Sequence, residues 1–159
     1  MPKIVGDYKI LKTLGEGSFS KVKKVINIKT DKLYAMKIIN LSDVKDKVNE
    51  SQIKRRIETM SKISHPGMVK LRAIMHSKNR LYLVFDLAEG ELFNTLAQSV
   101  PLTENVARKY FQQLIDILSF LQKNEAQHRD LKSENLLVNS KDDLFITDFI
   151  FSNMTKKPD

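Results

Sequence analysis

Two short strings in the second half of the chain contain residue types suited to catalysis. HRDLKSEN, at residues 128–135, is typical of a catalytic loop, and DFI, at 148–150, is typical of a metal-binding tripeptide except for its last residue. An aspartate in such a loop suits proton transfer, and carboxylate and amide oxygens suit a hard divalent cation. Taken alone, each string has a plainer interpretation, with His128 as a structural histidine and Asp148 as a turn cap.

A glycine-containing loop and a strand lysine in the first half have chemistry suited to phosphate. The loop GEGSFS, at 15–20, lies between two predicted strands rather than before a helix, which argues against a dinucleotide-binding fingerprint. Glycines let backbone amides approach phosphate oxygens without interference from Cβ atoms, although a plain hairpin turn explains the same residues. Lys37 is, by itself, most simply a surface lysine.

The elements that must position these residues differ between the two halves of the chain. In the first half, alternating polar and apolar residues predict strands, and a 3.6-residue period predicts a helix that ends at SHPG. The predicted strands are 8–14, 21–28, 33–40, 68–76 and 80–87, and the predicted helix is 43–62. The first half is therefore an antiparallel five-stranded region with one helix after the third strand.

The second half is predicted to be mostly helical, with one hairpin. A long helix spans 102–124 and begins at Thr103, which is only a partial capping box because Val106 replaces the usual glutamate. Apolar residues cover more than one face of this helix, so it requires burial on most sides. A hairpin follows, with strands at 135–138 and 144–147, and the boundary between the two halves lies near 86–91.

Composition indicates a folded globular domain rather than a disordered or membrane-spanning chain. The chain has 159 residues, a net charge of +8 and no cysteine, which excludes disulfides and thiolate metal sites. The lysines are spread along the chain without an arginine-rich arm, so a solvated basic surface explains the charge and neither a nucleic-acid nor a membrane partner is expected. No signal peptide is indicated, and we expect a cytoplasmic protein.

In chain order these motifs form the protein-kinase signature. They are the glycine loop, AMK at 35–37, HRDLK at 128–132 with Asn135, and DF at 148–149. The chain resembles the N-terminal part of a serine/threonine protein kinase, most like the plant calcineurin-B-like-interacting kinases and the AMP-activated group. The resemblance implies an α+β kinase fold, with a five-stranded antiparallel N-lobe at 1–86, a hinge at 87–91 and an incomplete, mostly helical C-lobe at 92–159. The short stretch after Asp148 is expected to leave the activation segment cut short.

The resemblance also implies ATP and Mg²⁺ as cofactors and a role for each motif residue. Lys37 would pair with the α- and β-phosphates, Asp130 would accept the proton of the attacking hydroxyl, and Lys132 would lie near the γ-phosphate. Asn135 and Asp148 would hold Mg²⁺ through oxygen atoms. The implied nucleotide-binding residues are Leu14, Gly15, Glu16, Gly17, Ser18, Phe19, Ser20, Val22, Ala35, Lys37, Asp86, Ala88, Glu91 and Leu137.

Three residues depart from the family pattern and leave alternatives open. Ser20 replaces the third glycine of the loop, Arg56 stands where the family has a helix glutamate, and Ile150 replaces the glycine of the metal-binding tripeptide. We expect Arg56 to turn outward, away from Lys37, or the helix to rotate, because like charges repel. The alternatives are an active kinase that phosphorylates protein Ser/Thr residues, a non-catalytic nucleotide-binding or scaffold module, and a fragment without independent function. The resemblance further implies a calcium-sensor or regulatory subunit as partner of a full-length relative.

Overall fold

The chain divides into two compact units. The first comprises Met1–Ile53 with Lys70–Leu87, and the second comprises Lys54–Val69 with Ala88–Asp159. This organisation comes from a computed structural model that describes residues 3–16, 20–44, 57–58, 61–88, 90–92, 102–126, 128 and 131–147.

The first unit is built on an antiparallel sheet of six strands in the order β1-β2-β3-β4-β6-β5. The strands are β1 (Ile4–Val5), β2 (Tyr8–Glu16), β3 (Ser20–Asn27), β4 (Leu33–Asn40), β5 (Leu71–Ser77) and β6 (Arg80–Asp86). Five of them correspond to the predicted strands. The prediction of five strands in all is wrong by one, because β1 has two residues and is too short to show an alternating pattern.

One face of this sheet contains a hydrophobic core. Val25, Met36 and Val84 are fully buried there, and Met36 lies directly opposite Val84 in the pairing of β4 with β6. Tyr8 and Tyr34 meet edge to face on the same side, with ring centroids 5.9 Å apart. Because side chains alternate across a strand, the residues between these core positions face the other side of the sheet.

The helix predicted at 43–62 lies largely outside the described residues. A short helix, α1, spans Leu41–Val44, and residues 57–58 and 61–62 are helical. Arg56 is not among the described residues, so the expectation that it turns outward stays a prediction.

The second unit combines a long helix with a small sheet. Helix α2 spans Glu104–Lys123, and the hydroxyl of Thr103 accepts a hydrogen bond from the Val106 amide at 3.4 Å, which confirms the predicted cap. The sheet has the order β7-β8-β9, with β7 at Gly90–Glu91, β8 at Leu136–Val138 and β9 at Leu144–Ile146. The hairpin of β8 and β9 was predicted, whereas the two-residue β7 was not.

The core of the second unit lies between α2 and the β8–β9 hairpin. Ile117, Leu121 and Ile146 are almost completely buried in it. The SHPG segment joins this core through a main-chain bond, since the Ile146 amide donates to the Gly67 carbonyl at 2.8 Å. Phe111, by contrast, is 63% exposed on α2. Neither helix that the structure describes has the length and hydropathy to cross a bilayer.

Candidate active site

The strand register of the first unit places several predicted residues on one face of the sheet. Gly15 lies opposite Val22, Val22 opposite Lys37, and Lys37 opposite Leu83, which makes a row across four strands. Residues directly opposite each other in antiparallel strands project from the same face. Ala35, two residues before Lys37, projects from that face as well. The face is opposite to the one that carries the Met36 core.

Lys37 is buried in this row. Only 6% of the residue is exposed, whereas Lys21 on β3 is open to solvent. The interpretation of Lys37 as an ordinary surface lysine is therefore wrong. Burial of a lysine costs free energy unless the ammonium group interacts with compensating polar or anionic groups, so a position of this kind suits recognition of an anion.

The loop after β2 joins two strands, as the sequence predicts. Glu16 and Lys21 pair across the start of the loop, with 3.1 Å between the carboxylate and the ammonium, and Ser20 begins β3 opposite Ile39. Leu14 is 41% exposed. Gly17, Ser18 and Phe19, also predicted to bind nucleotide, lie outside the described residues.

The end of β6 contains Asp86, one of the residues predicted to bind the nucleotide. Its carboxylate accepts hydrogen bonds from Arg72, and its backbone amide donates to the Lys70 carbonyl at 3.1 Å. Ala88 is half-buried, and Glu91 lies in β7 opposite Leu137. The structure thus assigns the Asp86 side chain to a contact within the first unit.

In the second unit, backbone atoms of Thr147 join two of the motif residues. His128, 4% exposed, places Nε2 2.8 Å from the Thr147 carbonyl, and a carbonyl can only accept, so Nε2 is the protonated nitrogen. The Thr147 amide donates to the Asn135 carbonyl at 3.0 Å. Asp148 follows directly in the chain. The histidine side chain and the asparagine backbone are therefore both tied to Thr147, the residue that precedes Asp148 in the sequence.

Asn135 ends a short 3₁₀ helix, Ser133–Asn135, that begins after the extended residue Lys132. The Asn135 amide donates to the Lys132 carbonyl at 3.0 Å, and Asn135 is 6% exposed. Its side-chain oxygen is a hard ligand of the type that Mg²⁺ prefers, and it lies on rigid backbone. Leu137 follows on β8, paired with Phe145.

Asp130, the predicted proton acceptor, and Asp148, a predicted Mg²⁺ ligand, lie outside the described residues. Within the described part of the chain, no three His, Asp or Glu side chains gather as a cation site. The predicted Mg²⁺ site consists of Asn135 with Asp148, so its geometry stays a prediction. The donor chemistry of the two residues fits the ion.

Comparison with known proteins shows the family. The model of the protein kinase domain matches residues 8–159. This chain belongs to the protein kinase family. It is 39% identical over 156 residues to CBL-interacting protein kinase 24 of Oryza sativa subsp. japonica, covering 98% of this chain and 34% of that protein. It is 41% identical over 154 residues to CBL-interacting serine/threonine-protein kinase 9 of Arabidopsis thaliana, covering 96% and 34%. The chain thus spans about a third of the length of the curated relatives it matches.

In this kinase domain, side chains of α2 anchor the loop of the β8–β9 hairpin. Lys109 donates to the Lys141 carbonyl and lies 3.0 Å from the Asp143 carboxylate, while Tyr110 donates to Asp142 at 3.0 Å. Burial, followed by the hydrogen bond to Asp142, raises the pKa of Tyr110 to about 12. The hydrogen bond from Lys109 is the main reason why the pKa of Asp143 is lowered. These contacts hold the hairpin that follows Asn135.

Reasoning from the sequence missed two contacts of the predicted site residues, one within each unit. Thr147 acts through its backbone, so its side-chain type gives no signal, although its place before Asp148 could have suggested it. Arg72 acts through its side chain, but from a strand position that sequence periodicity assigns no special role.

Proposed function

We propose that this kinase domain binds ATP with Mg²⁺ and transfers the γ-phosphate to serine or threonine hydroxyls of a protein. The observation that carries the proposal is the burial of Lys37 in one row with Gly15 and Val22. A buried lysine in the same row as a glycine with open space at its Cβ position suits phosphate oxygens. Family membership supports the same reading.

The residues of the first unit serve nucleotide binding in this proposal. Lys37 neutralises negative charge on the α- and β-phosphates, and Gly15 lets backbone approach them closely. Val22 and Ala35 supply apolar surface for the base on the same face of the sheet. The remaining residues of the glycine loop, 16–20, cover the phosphates.

The residues of the second unit serve the transfer step. Asp130 accepts the proton of the attacking hydroxyl as its oxygen bonds to the γ-phosphorus, and the bond from that phosphorus to the bridging oxygen of ADP breaks. Lys132 stabilises charge on the γ-phosphate. Asn135 and Asp148 would hold Mg²⁺, which supplies charge neutralisation when bound. The bonds of Thr147 to His128 and Asn135 link the histidine of the HRDLK motif to the asparagine proposed to hold the ion.

Nucleotide binding is tested by calorimetric titration with ATP, with and without Mg²⁺. We expect Lys37→Met to weaken ATP binding at least tenfold, since it removes the cation nearest the proposed phosphates. Lys23→Met is the matched control, because Lys23 lies opposite Met36, on the other face of the sheet. Equal affinities for the Lys37 variant and the unaltered protein would refute the phosphate role.

Phosphoryl transfer is tested with labelled ATP and a generic basic protein as acceptor. We expect transfer that depends on Mg²⁺ and is lost in Asp130→Asn, which keeps the size of the side chain but cannot take a proton. ATP binding without any transfer would instead support the non-catalytic module. Arg56 and Ile150, which motivated that alternative, lie outside the described residues.

The partners of a longer polypeptide containing this domain are also part of the proposal. The relatives are named as CBL-interacting kinases, and we propose a calcium-sensor partner of this kind for a full-length protein. A pull-down with such a sensor in the presence and absence of Ca²⁺ tests it. A cytoplasmic location is proposed because a chain with no cysteine suits a reducing compartment, and imaging a fluorescent fusion tests it.

A further inference from the structure

The pairing of β5 with β6 contains an irregularity at Arg72. Leu71 lies opposite Phe85, and Ala73 lies opposite the very next residue, Val84, so Arg72 is an extra residue in β5. A bulge of this kind redirects the side chain of the extra residue away from the regular alternation. Here it directs the guanidinium of Arg72 to the end of β6.

Arg72 holds Asp86 with two parallel hydrogen bonds. Nε lies 2.6 Å from Oδ1, and a terminal guanidinium nitrogen lies 2.8 Å from Oδ2. This bidentate arrangement fixes the orientation of the carboxylate as well as its position. The Asp86 amide also donates to the Lys70 carbonyl, and we expect this bond to open more often when Arg72 no longer holds the carboxylate. Both the side chain and the backbone of Asp86 are therefore tied to β5 or to the residue before it.

The exposure of this pair argues against a role in stability. The side chains of Arg72 and Asp86 are 44% and 41% exposed, and ion pairs in contact with water contribute little to the free energy of folding. A bidentate contact from a bulge instead fixes the geometry of its partner. Here it fixes the position of Asp86, the last residue of β6, and the direction in which the chain leaves that strand.

We propose that Arg72 is a positioning residue for recognition of the nucleobase. Asp86 is among the residues that the family resemblance assigns to nucleotide binding. By holding Asp86, Arg72 fixes the end of β6, where we place hydrogen bonds from the backbone to the edge of the adenine ring. This inference rests on the proposed ATP binding and adds a residue of β5 to it. Arg72 itself contacts neither the base nor the phosphates in this account.

The inference is tested by comparing ATP with inorganic tripolyphosphate, which has the phosphates but lacks the base. We expect Arg72→Ala to weaken ATP binding about threefold to tenfold and to leave tripolyphosphate binding unchanged. Arg72→Lys should give an intermediate loss, because an ammonium group cannot make the bidentate contact. Arg80→Ala, at the other end of the same hairpin, is the control and should leave both affinities unchanged. An equal loss for both ligands, or no loss for ATP, would overturn the role of Arg72.

A measurement without nucleotide separates this inference from the proposed function. Amide hydrogen exchange of the free protein should be faster at Asp86 and Leu87 in Arg72→Ala, with unchanged rates in β3. If the unaltered protein binds no ATP, the proposed function fails, and the exchange rates still decide whether Arg72 holds the strand end. An unchanged exchange rate at Asp86 would refute the proposal that Arg72 holds the end of β6.

Discussion

Replacement of Gly67 by alanine tests the packing between the SHPG segment and helix α2. A Cβ at position 67 would lie 2.5 Å from both Cγ1 and Cδ1 of Ile117, which is closer than such atoms approach. Ile117 is completely buried, so its side chain can relieve the contact only by moving against the other residues of the core. Gly67 is also held, since its amide donates to Nδ1 of His65 at 3.0 Å and its carbonyl accepts from Ile146 at 2.8 Å.

The expected cost follows from the clash and a smaller opposing effect. Overpacking of a core costs about 1–3 kcal/mol. Alanine also reduces the conformational entropy of the unfolded chain. Where alanine can adopt the native backbone conformation, this effect stabilises the folded state by about 0.4–1 kcal/mol. We therefore expect Gly67→Ala to lower the free energy of unfolding by about 1–2 kcal/mol, or the Tm by about 2–8 °C for a chain of this size.

A double-mutant cycle measured by urea unfolding identifies the cause. Ile117→Ala removes both clashing atoms, so adding Gly67→Ala to that variant should cost nothing or should stabilise it by filling the cavity. Gly90→Ala is the control, because its new Cβ would lie 4.0 Å from the Val138 carbonyl, an ordinary contact. If Gly67→Ala cost the same with and without the Ile117 side chain, the reasoning from this contact would be refuted.

Three further predictions concern the anchored hairpin and the sheet core. The pKa of Tyr110 is raised from 10.0 to about 12. The stabilisation that protonated Tyr110 gives the folded state is therefore complete below about pH 10 and is lost as the pH rises through 12. In urea unfolding curves, Tyr110→Phe should remove this decrease in the free energy of unfolding at high pH. The pKa of Asp143 is lowered from 3.8, so the stabilisation that its carboxylate gives the folded state is present above that pH and is lost in stronger acid. Lys109→Gln should move the pKa of Asp143 back toward 3.8 in a carboxylate titration followed by NMR. An unchanged pKa would contradict the contact between Lys109 and Asp143. Met36→Ala should cost about 2–5 kcal/mol in urea unfolding because Met36 is fully buried, and a loss under 1 kcal/mol would contradict its place in the core.

The regular elements were predictable where the side-chain pattern was long enough to have a period. Strand β4 extends over eight residues, and the Thr103 cap precedes a helix of 20 residues. The strands β1 and β7 have two residues each, and a pattern of period two cannot be recognised in two residues. Their existence depends on partners distant in the sequence.

The candidate site was predictable as a set of motifs but not as an arrangement. Residue type alone makes Lys37 a surface lysine, and only its place among the other motifs indicated a role. Its burial depends on the register of three strands, which no local pattern determines. The bulge at Arg72 is also a property of register, so the contact with Asp86 could not be inferred from the alternation of β5.

The use of main-chain atoms at Thr147 has a consequence for how this position tolerates change. Its carbonyl and amide, rather than its hydroxyl, meet His128 and Asn135, so a library of substitutions at 147 should retain both bonds for every amino acid that accepts an extended backbone. Proline is the exception, since it has no amide hydrogen to give. The two bonds therefore place no requirement on the side chain at 147 beyond an amide hydrogen and an unobstructed carbonyl.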